Sequence, residues 1–393
     1  MQYIVEKLRL SIDNLMKYMF VKQYNLENIE YQETGYKTNN IPPENNWEKF
    51  DTSTEISGAN RHFWFHLKCR SPRAKADEKV CFTLNTGKEG NWAAENPQGI
   101  LYINGRTVQG LDTNHYHALI EPDAELDIYC YFFTGMIEQK CFFIPKISII
   151  NKRIEKLYYD LKVAFDSANL PLPETEKCTI FNAVEKAINI INFREIYSER
   201  FFEEIDNAQK CITEEFYEKE CAKSKQTVSC IGHTHIDVAW LWTYAQTKEK
   251  AQRSFSTVLE LMKQYPEYKF MSSQPVLLEY LKEQSPELYD EVKERVKEGR
   301  WEIEGAMYLE ADCNLTSGES LTRQILYGKR FMKKEFGIDS RILWLPDVFG
   351  YSAALPQILK KSGVDYFVTS KISWNDTNVF PHDTFYWEGI DGT

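Results

Sequence analysis

The sequence predicts an α/β chain in three regimes: a β-rich domain, a helical linker, then strands alternating with helices in a parallel α/β layer or barrel. Three observations carry this. Residues 47–150 hold short aromatic and β-branched runs separated by turn signals, residues 151–225 switch to apolar steps of three and four, and from 226 onward strands and amphipathic helices alternate. A chain of 393 residues that is 43% apolar and 14% aromatic has ample material for more than one core.

The first segment, 1–46, reads as an amphipathic helix followed by a loop. MQYIVEKLRLSIDNLMKYMF mixes Glu6, Lys7, Arg9, Asp13 and Lys17 into its apolar positions, so it predicts neither a signal-peptide core nor a membrane span. The polar stretch Asn39 to Glu48 follows as the loop. Next come HFWFHLKC, KVCFTLNTG, GILYINGRTVQG, AELDIYCYFF and QKCFFIPKISII, expected as antiparallel strands of a β-sandwich-like accessory domain. Asn104-Gly105 is a two-residue hairpin signal.

In the linker, KRIEKLYYDLKVAFDSA and KCTIFNAVEKAINIINFREI carry the helical period, and Pro171 and Pro173 separate them. In the third regime TVSCIG, YKFMSS, WEIEGA, SRILWLP and VDYFVTS are the expected strands, which alternation with helices makes parallel. Chemistry in such folds gathers at the C-terminal strand ends.

Charge narrows the partners. The chain carries 27% charged residues with a net charge of −11, and its basic residues are dispersed, which argues against nucleic acid or a membrane surface as the main partner. Nine cysteines without a C-x-x-C pair fit a reduced, cytoplasmic setting. A homo-oligomer is left open.

CIGHTHIDVAW places His233, His235 and Asp237 at every second position after the first of those strands, in a chain with seven histidines. Alternate strand residues share a side, and imidazole with carboxylate is the donor set of a hydrolytic zinc; a pair of core histidines bonded to Asp237 is the plainer alternative. Glu310 and Asp312 follow the strand WEIEG, just before the helix-start signal Thr316-Ser317-Gly318-Glu319. Asp347 follows another strand, ahead of Gly350 and Tyr351, where a helix N-terminal Asp is the plainer reading. Trp374, Asp376, His382, Asp383 and Trp387 follow the fifth strand, a density of rings and carboxylates that suits a sugar site.

In this order GHTHIDVAWLW, GAMYLEADCNLTSGESL, LWLPDVFGYSAALPQIL and SWNDTNVFPHDTFYWEGIDG resemble the family 38 glycoside hydrolases, the zinc-dependent α-mannosidases, and within them the cytoplasmic and bacterial branch. The resemblance spans about Gln226 to Thr393, and the β-rich part ahead of it is similar to that branch as well. It implies that 226–393 is the N-terminal part of a barrel-like catalytic domain and that the protein is a retaining exo-α-mannosidase. Zn²⁺ would hold O2 and O3 of a terminal mannose, in mannosides or mannose oligosaccharides, while a carboxylate attacks the anomeric carbon.

By the same resemblance His235, Asp237 and Asp312 are metal ligands and Asp312 is also the nucleophile. His233 lies behind the site, and Trp240 is the sugar platform, with Tyr351 and Trp374 as further substrate contacts. Asp347 is the first choice for acid/base, ahead of Asp376 and Asp383. A fourth ligand is expected from a histidine beyond Thr393, since His382 is the only histidine after Asp312 here. Two other readings stand beside the enzyme: a non-catalytic carbohydrate-binding protein, and a zinc-dependent carbohydrate deacetylase. The deacetylase also starts from a strand-end His-x-His, but it needs further histidines that this sequence lacks.

Overall fold

The computed structural model describes residues 2–37, 39–91 and 97–393. The chain opens with helix α1 (Gln2–Tyr18), whose Leu8, Ile12 and Leu15 form a fully or nearly buried stripe. Twelve strands follow: β1 (Phe20–Asn25), β2 (Ile29–Thr34), β3 (Glu48–Phe50), β4 (Ile56–Ser57), β5 (His62–Arg70), β6 (Glu78–Asn85), β7 (Gln98–Ile103), β8 (Arg106–Leu111), β9 (His117–Ile120), β10 (Glu125–Phe133), β11 (Lys140–Cys141) and β12 (Ile144–Asn151). They make a four-stranded sheet in the order β1-β12-β6-β9 and a six-stranded sheet in the order β3-β2-β5-β10-β7-β8, with β4 and β11 as a separate pair. All of these pairings are antiparallel.

The two sheets face each other. Phe82, Leu84 and Ile147 of the smaller meet Phe63, Phe65, Leu101, Ile128 and Phe132 of the larger in one core. The register that pairs Phe132 with Phe63 and Tyr131 with Trp64 turns Phe63 and Phe132 inward, while Trp64, Tyr102 and Tyr131 form a second buried cluster on the outer face of the larger sheet. Both faces are covered, which is why HFWF and IYCYFF read as continuous apolar runs rather than an alternation. The Asn104-Gly105 turn between β7 and β8 has φ of 51° and 77°, the doubly left-handed turn that this dipeptide favours.

The segment expected as helix plus loop differs from that reading, because β1 and β2 lie within it and join both sheets. FVKQYN and IEYQET are largely polar, with half-exposed faces, so their sequence carries little of the strand pattern. The stretch expected as a linker forms α2 (Lys152–Ser167), α3 (Glu174–Ile188) and α4 (Glu199–Ile212). Asn151 caps α2, its side chain accepting from the amides of Arg153 and Ile154, and Pro171 and Pro173 fall between α2 and α3. With α1 these helices make a packed layer on the outer side of the four-stranded sheet, reaching Cys81 and Ile150.

The third regime is a parallel α/β arrangement: β13 (Gly232–His233), α5 (Tyr244–Gln264), β14 (Phe270–Ser272), α6 (Pro275–Gln284), α7 (Pro286–Lys297), β15 (Trp301–Ile303), α8 (Gly318–Phe336), β16 (Ile342–Leu345), α9 (Leu355–Lys361) and β17 (Tyr366–Thr369). Strands β13, β14 and β15 pair in parallel, as do β16 and β17. The Ala306 amide donates to Ile342 O at 2.9 Å, joining the two groups just past β15. Of TVSCIG only Gly232 enters the pairing, together with the His233 that follows it, and β13 has a strand partner, β14, on one side. Among the described residues no helix is long and apolar enough to cross a membrane.

Phe82 is fully buried in the inter-sheet core. Phe82→Ala is expected to destabilise the chain by about 3–5 kcal/mol through lost transfer energy and a residual cavity. A urea melt followed by far-ultraviolet circular dichroism checks this; an unchanged midpoint would place Phe82 outside the core.

Candidate metal and sugar site

The strand ends of the third regime converge on His235. Its Nδ1 is bonded to Glu310 Oε2, and Glu310, 3% exposed, also accepts from Ser273 Oγ at 2.6 Å. On its other side His235 Nε2 stands 3.3 Å from Asp237 Oδ1 and 3.5 Å from Asp347 Oδ2. The donor atoms of His235, Asp237 and Asp347 all lie within 4.8 Å of one another.

This set fits a metal ion. Donors bound to one zinc at about 2.0–2.1 Å at tetrahedral angles stand about 3.3–3.4 Å apart, close to the two separations seen here. A carboxylate on the far ring nitrogen, the place Glu310 occupies, is the usual device for aiming the other nitrogen at a metal.

Electrostatics agree. Burial works against a charged His235, but hydrogen bonds to Asp237 and Glu310 and the charges of both outweigh it, raising the imidazole to about 10. Without an ion, a proton on Nε2 does the neutralising. A folded value above the ordinary 6.5 means that this stabilisation is complete below about pH 6.5 and is lost as pH rises through about 10.

The remaining expected residues divide. His233 lies outside this group: its Nε2 is 3.2 Å from Ser273 Oγ, its ring packs 5.3 Å from Trp344, and burial lowers its proton affinity. Asp312 is exposed, and its Oδ1 accepts from the amides of Asn314 at 2.8 Å and Leu315 at 2.6 Å, so the structure does not bring it to His235. Asp347 Oδ1 is paired with Lys371 Nζ at 2.9 Å, and that ammonium lies 4.5 Å from the centre of the Trp374 ring.

Trp240 is 53% exposed and Trp374, the ring beside Lys371, is 71% exposed, so both are open to solvent. Tyr351 is turned inward: its hydroxyl donates to Val348 O at 2.7 Å and meets Thr369 Oγ1, while its ring packs on Phe367 and Trp387. Asp376, His382 and Asp383 are exposed.

Sequence reasoning passed over Ser273, Gln274 and Lys371, and noted Glu310 without giving it a role. Gln274 is buried, donates to Ile236 O at 2.9 Å and accepts from the Glu310 amide at 3.3 Å, tying the two loops together. Glu310 did leave a signal in EADC, where it stands two residues from Asp312.

Residues 225–393 match the glycosyl hydrolases family 38 N-terminal domain. The chain is 36% identical over 360 residues to "Alpha-mannosidase G" of Dictyostelium discoideum, covering 84% of this chain and 32% of that protein. It is 42% identical over 201 residues to "Alpha-mannosidase" of Saccharomyces cerevisiae, covering 51% and 18%, and 32% identical over 349 residues to "Alpha-mannosidase 2C1" of Homo sapiens, covering 84% and 32%. The chain thus spans about a third or less of the length of these relatives.

A metal ion taken up by this group would displace the proton on His235 Nε2, so uptake should release about one proton and apparent affinity should rise about tenfold per pH unit between roughly pH 6 and 8. Calorimetry in buffers of different ionisation enthalpy measures the release. Binding without a pH dependence would show that His235 is not a ligand.

Proposed function

The chain belongs to glycosyl hydrolase family 38 through residues 225–393, and from that premise we propose that the protein is a retaining exo-α-mannosidase acting on terminal mannose of mannosides or mannose oligosaccharides in the cytoplasm. The parallel strands β13 to β17 are then the opening part of a barrel-like catalytic domain. The observation that carries the reading is the convergence of His235, Asp237 and Asp347, backed by Glu310, at strand ends within a matched glycosidase domain.

When bound, Zn²⁺ would supply a Lewis-acidic anchor for adjacent sugar hydroxyls. His235 and Asp237 would hold it. For the third carboxylate, geometry favours Asp347, which already faces the other two, and the motif resemblance favours Asp312. As nucleophile Asp312 would release the Asn314 and Leu315 amides and bring one oxygen to the anomeric carbon. Retention needs a second carboxyl about 5–5.5 Å from it to protonate the leaving oxygen and later deprotonate water. Asp347 is proposed for that step, with Lys371 beside it; a residue cannot be both acid and third ligand, so the two roles are separable by experiment. Trp240 would offer its exposed face to the apolar side of the pyranose, and Trp374 would flank the next sugar.

The test is release of p-nitrophenol from the α-mannoside by the full chain, abolished by a chelator and restored by zinc. No release, with a mannose-derived ligand still bound, would favour the sugar-binding reading instead. A fluorinated mannosyl fluoride is expected to label Asp312; a label on Glu310 or Asp347 would overturn the nucleophile assignment. Asp347→Asn that retains zinc but loses turnover would make Asp347 the acid, whereas loss of zinc would make it the ligand.

Trp240→Ala is expected to weaken a mannose-like inhibitor by about 1–3 kcal/mol while leaving metal content unchanged. Inhibitor affinity equal to wild type would remove Trp240 from the site.

A further inference from the structure

Three successive carbonyls carry the segment that bears Asp237, and each is held by a donor from elsewhere. Gln274 Nε2 donates to Ile236 O at 2.9 Å, Trp242 Nε1 to Asp237 O at 3.1 Å, and Thr247 Oγ1 to Val238 O at 2.6 Å. Gln274 and Thr247 are buried, Thr247 on α5 and Gln274 at the position just ahead of α6. Trp242 lies in the turn ahead of α5, so its own position has to come from something else.

That support is Lys250. Its ammonium sits 4.1 Å from the centre of the Trp242 ring, inside the range of a cation–π contact, and 3.4 Å from Gln98 Oε1 on β7, the outer limit of a hydrogen bond. Lys250 belongs to the face of α5 that lies against the sandwich, where Glu249, Gln252 and Arg253 are also buried.

The seam is tight and polar. A Cβ on Gly110 of β8 would come within 2.6 Å of the Arg253 carbonyl, so only glycine lets helix and strand approach this closely. Tyr131 donates to Glu249 Oε1 at 2.8 Å, and Lys37 Nζ to Gln252 Oε1 at 2.6 Å. Sliding the helix would leave several of these paired polar atoms without partners, which holds helix and sheet in one arrangement.

We infer that Lys250 is a positioning residue for Asp237, acting through the Trp242 indole, and that the β-sandwich takes part in the site by holding Lys250 through Gln98. The metal role of Asp237 rests on the function proposed above; the positioning does not. Burial and then the Arg253 charge pull Lys250 down to about 7, while Asp112, Glu249 and Asp237 act in the other direction. The measurements therefore belong below pH 7, where the ammonium prevails.

The test uses the full chain with Co²⁺ as probe, read by its visible spectrum, and amide hydrogen exchange over residues 237–243. Lys250→Met keeps the apolar stem and removes the cation. It is expected to weaken Co²⁺ binding about ten- to a hundredfold, the usual effect of losing a group that orients a ligand, and to speed exchange in 237–243 alone. Lys250→Arg should restore most of both. Gln98→Leu should move both readouts in the same direction, by less. Wild-type exchange in Lys250→Met overturns the proposal, and so does faster exchange throughout the chain that Lys250→Arg does not rescue. Wild-type behaviour of Gln98→Leu overturns the sandwich's part. If the wild-type chain binds no Co²⁺, the metal reading falls, and the exchange result still decides the positioning.

Discussion

Three carboxylates crowd around one imidazole, and the arrangement survives only if positive charge stands among them. Glu310 approaches His235 from one ring nitrogen, Asp237 and Asp347 from the other, and Lys371 takes the remaining oxygen of Asp347. Like charges this close repel strongly in a half-buried place, so a cation there is a structural need before it is a chemical one. A proton on His235 meets that need at neutral pH, and a dication would meet it more completely. The loops after β13, β15 and β16 are thereby drawn to one point by charge, with Ser273 and Gln274, just past β14, setting their spacing through hydrogen bonds.

Much of the scaffold was legible in the amino-acid order. The turn at Asn104-Gly105, the breaks at Pro171 and Pro173 and the helix start at Ser317 each have a local cause, and each stands where that cause puts it. Strands β1 and β2 were not legible, because a half-exposed polar strand owes its existence to the neighbours it pairs with. At the site, His235 and Asp237 announced themselves by alternation within one short stretch. Ser273, Gln274 and Lys371 did not, since a serine, a glutamine and a lysine are ordinary loop residues until folding sets them beside a histidine or a carboxylate. Asp312 shows the opposite limit: its motif singles it out, while its carboxylate here satisfies two amides of its own turn.

Helix α5 was legible as a helix, but the burial of its second face was not. One face carries Ala251, Phe255, Leu259 and Met262 into the α/β core, as its period predicts. The opposite face, with Glu249, Lys250, Gln252 and Arg253, has the composition of a solvated surface and is nonetheless buried. The outer side of the six-stranded sheet answers it with Tyr102, Tyr131 and Gln98 as well as Trp64, so Glu249, Lys250 and Gln252 find partners there instead of water.

Such a seam bears on how the protein is made. The strands of the sandwich, Phe20 to Asn151, leave the ribosome well before Tyr244 to Gln264. While it waits, the sheet face that will receive α5 can be wetted at the hydroxyls of Tyr102 and Tyr131 and the amide of Gln98, whereas Trp64 and Ile100 give it an apolar share that α5 later covers. The helix likewise emerges with a face that water tolerates. Joining them exchanges one set of hydrogen bonds for another, covers the aromatic cluster and releases the water between, so a permanent internal junction can be assembled late from two surfaces that are both partly polar.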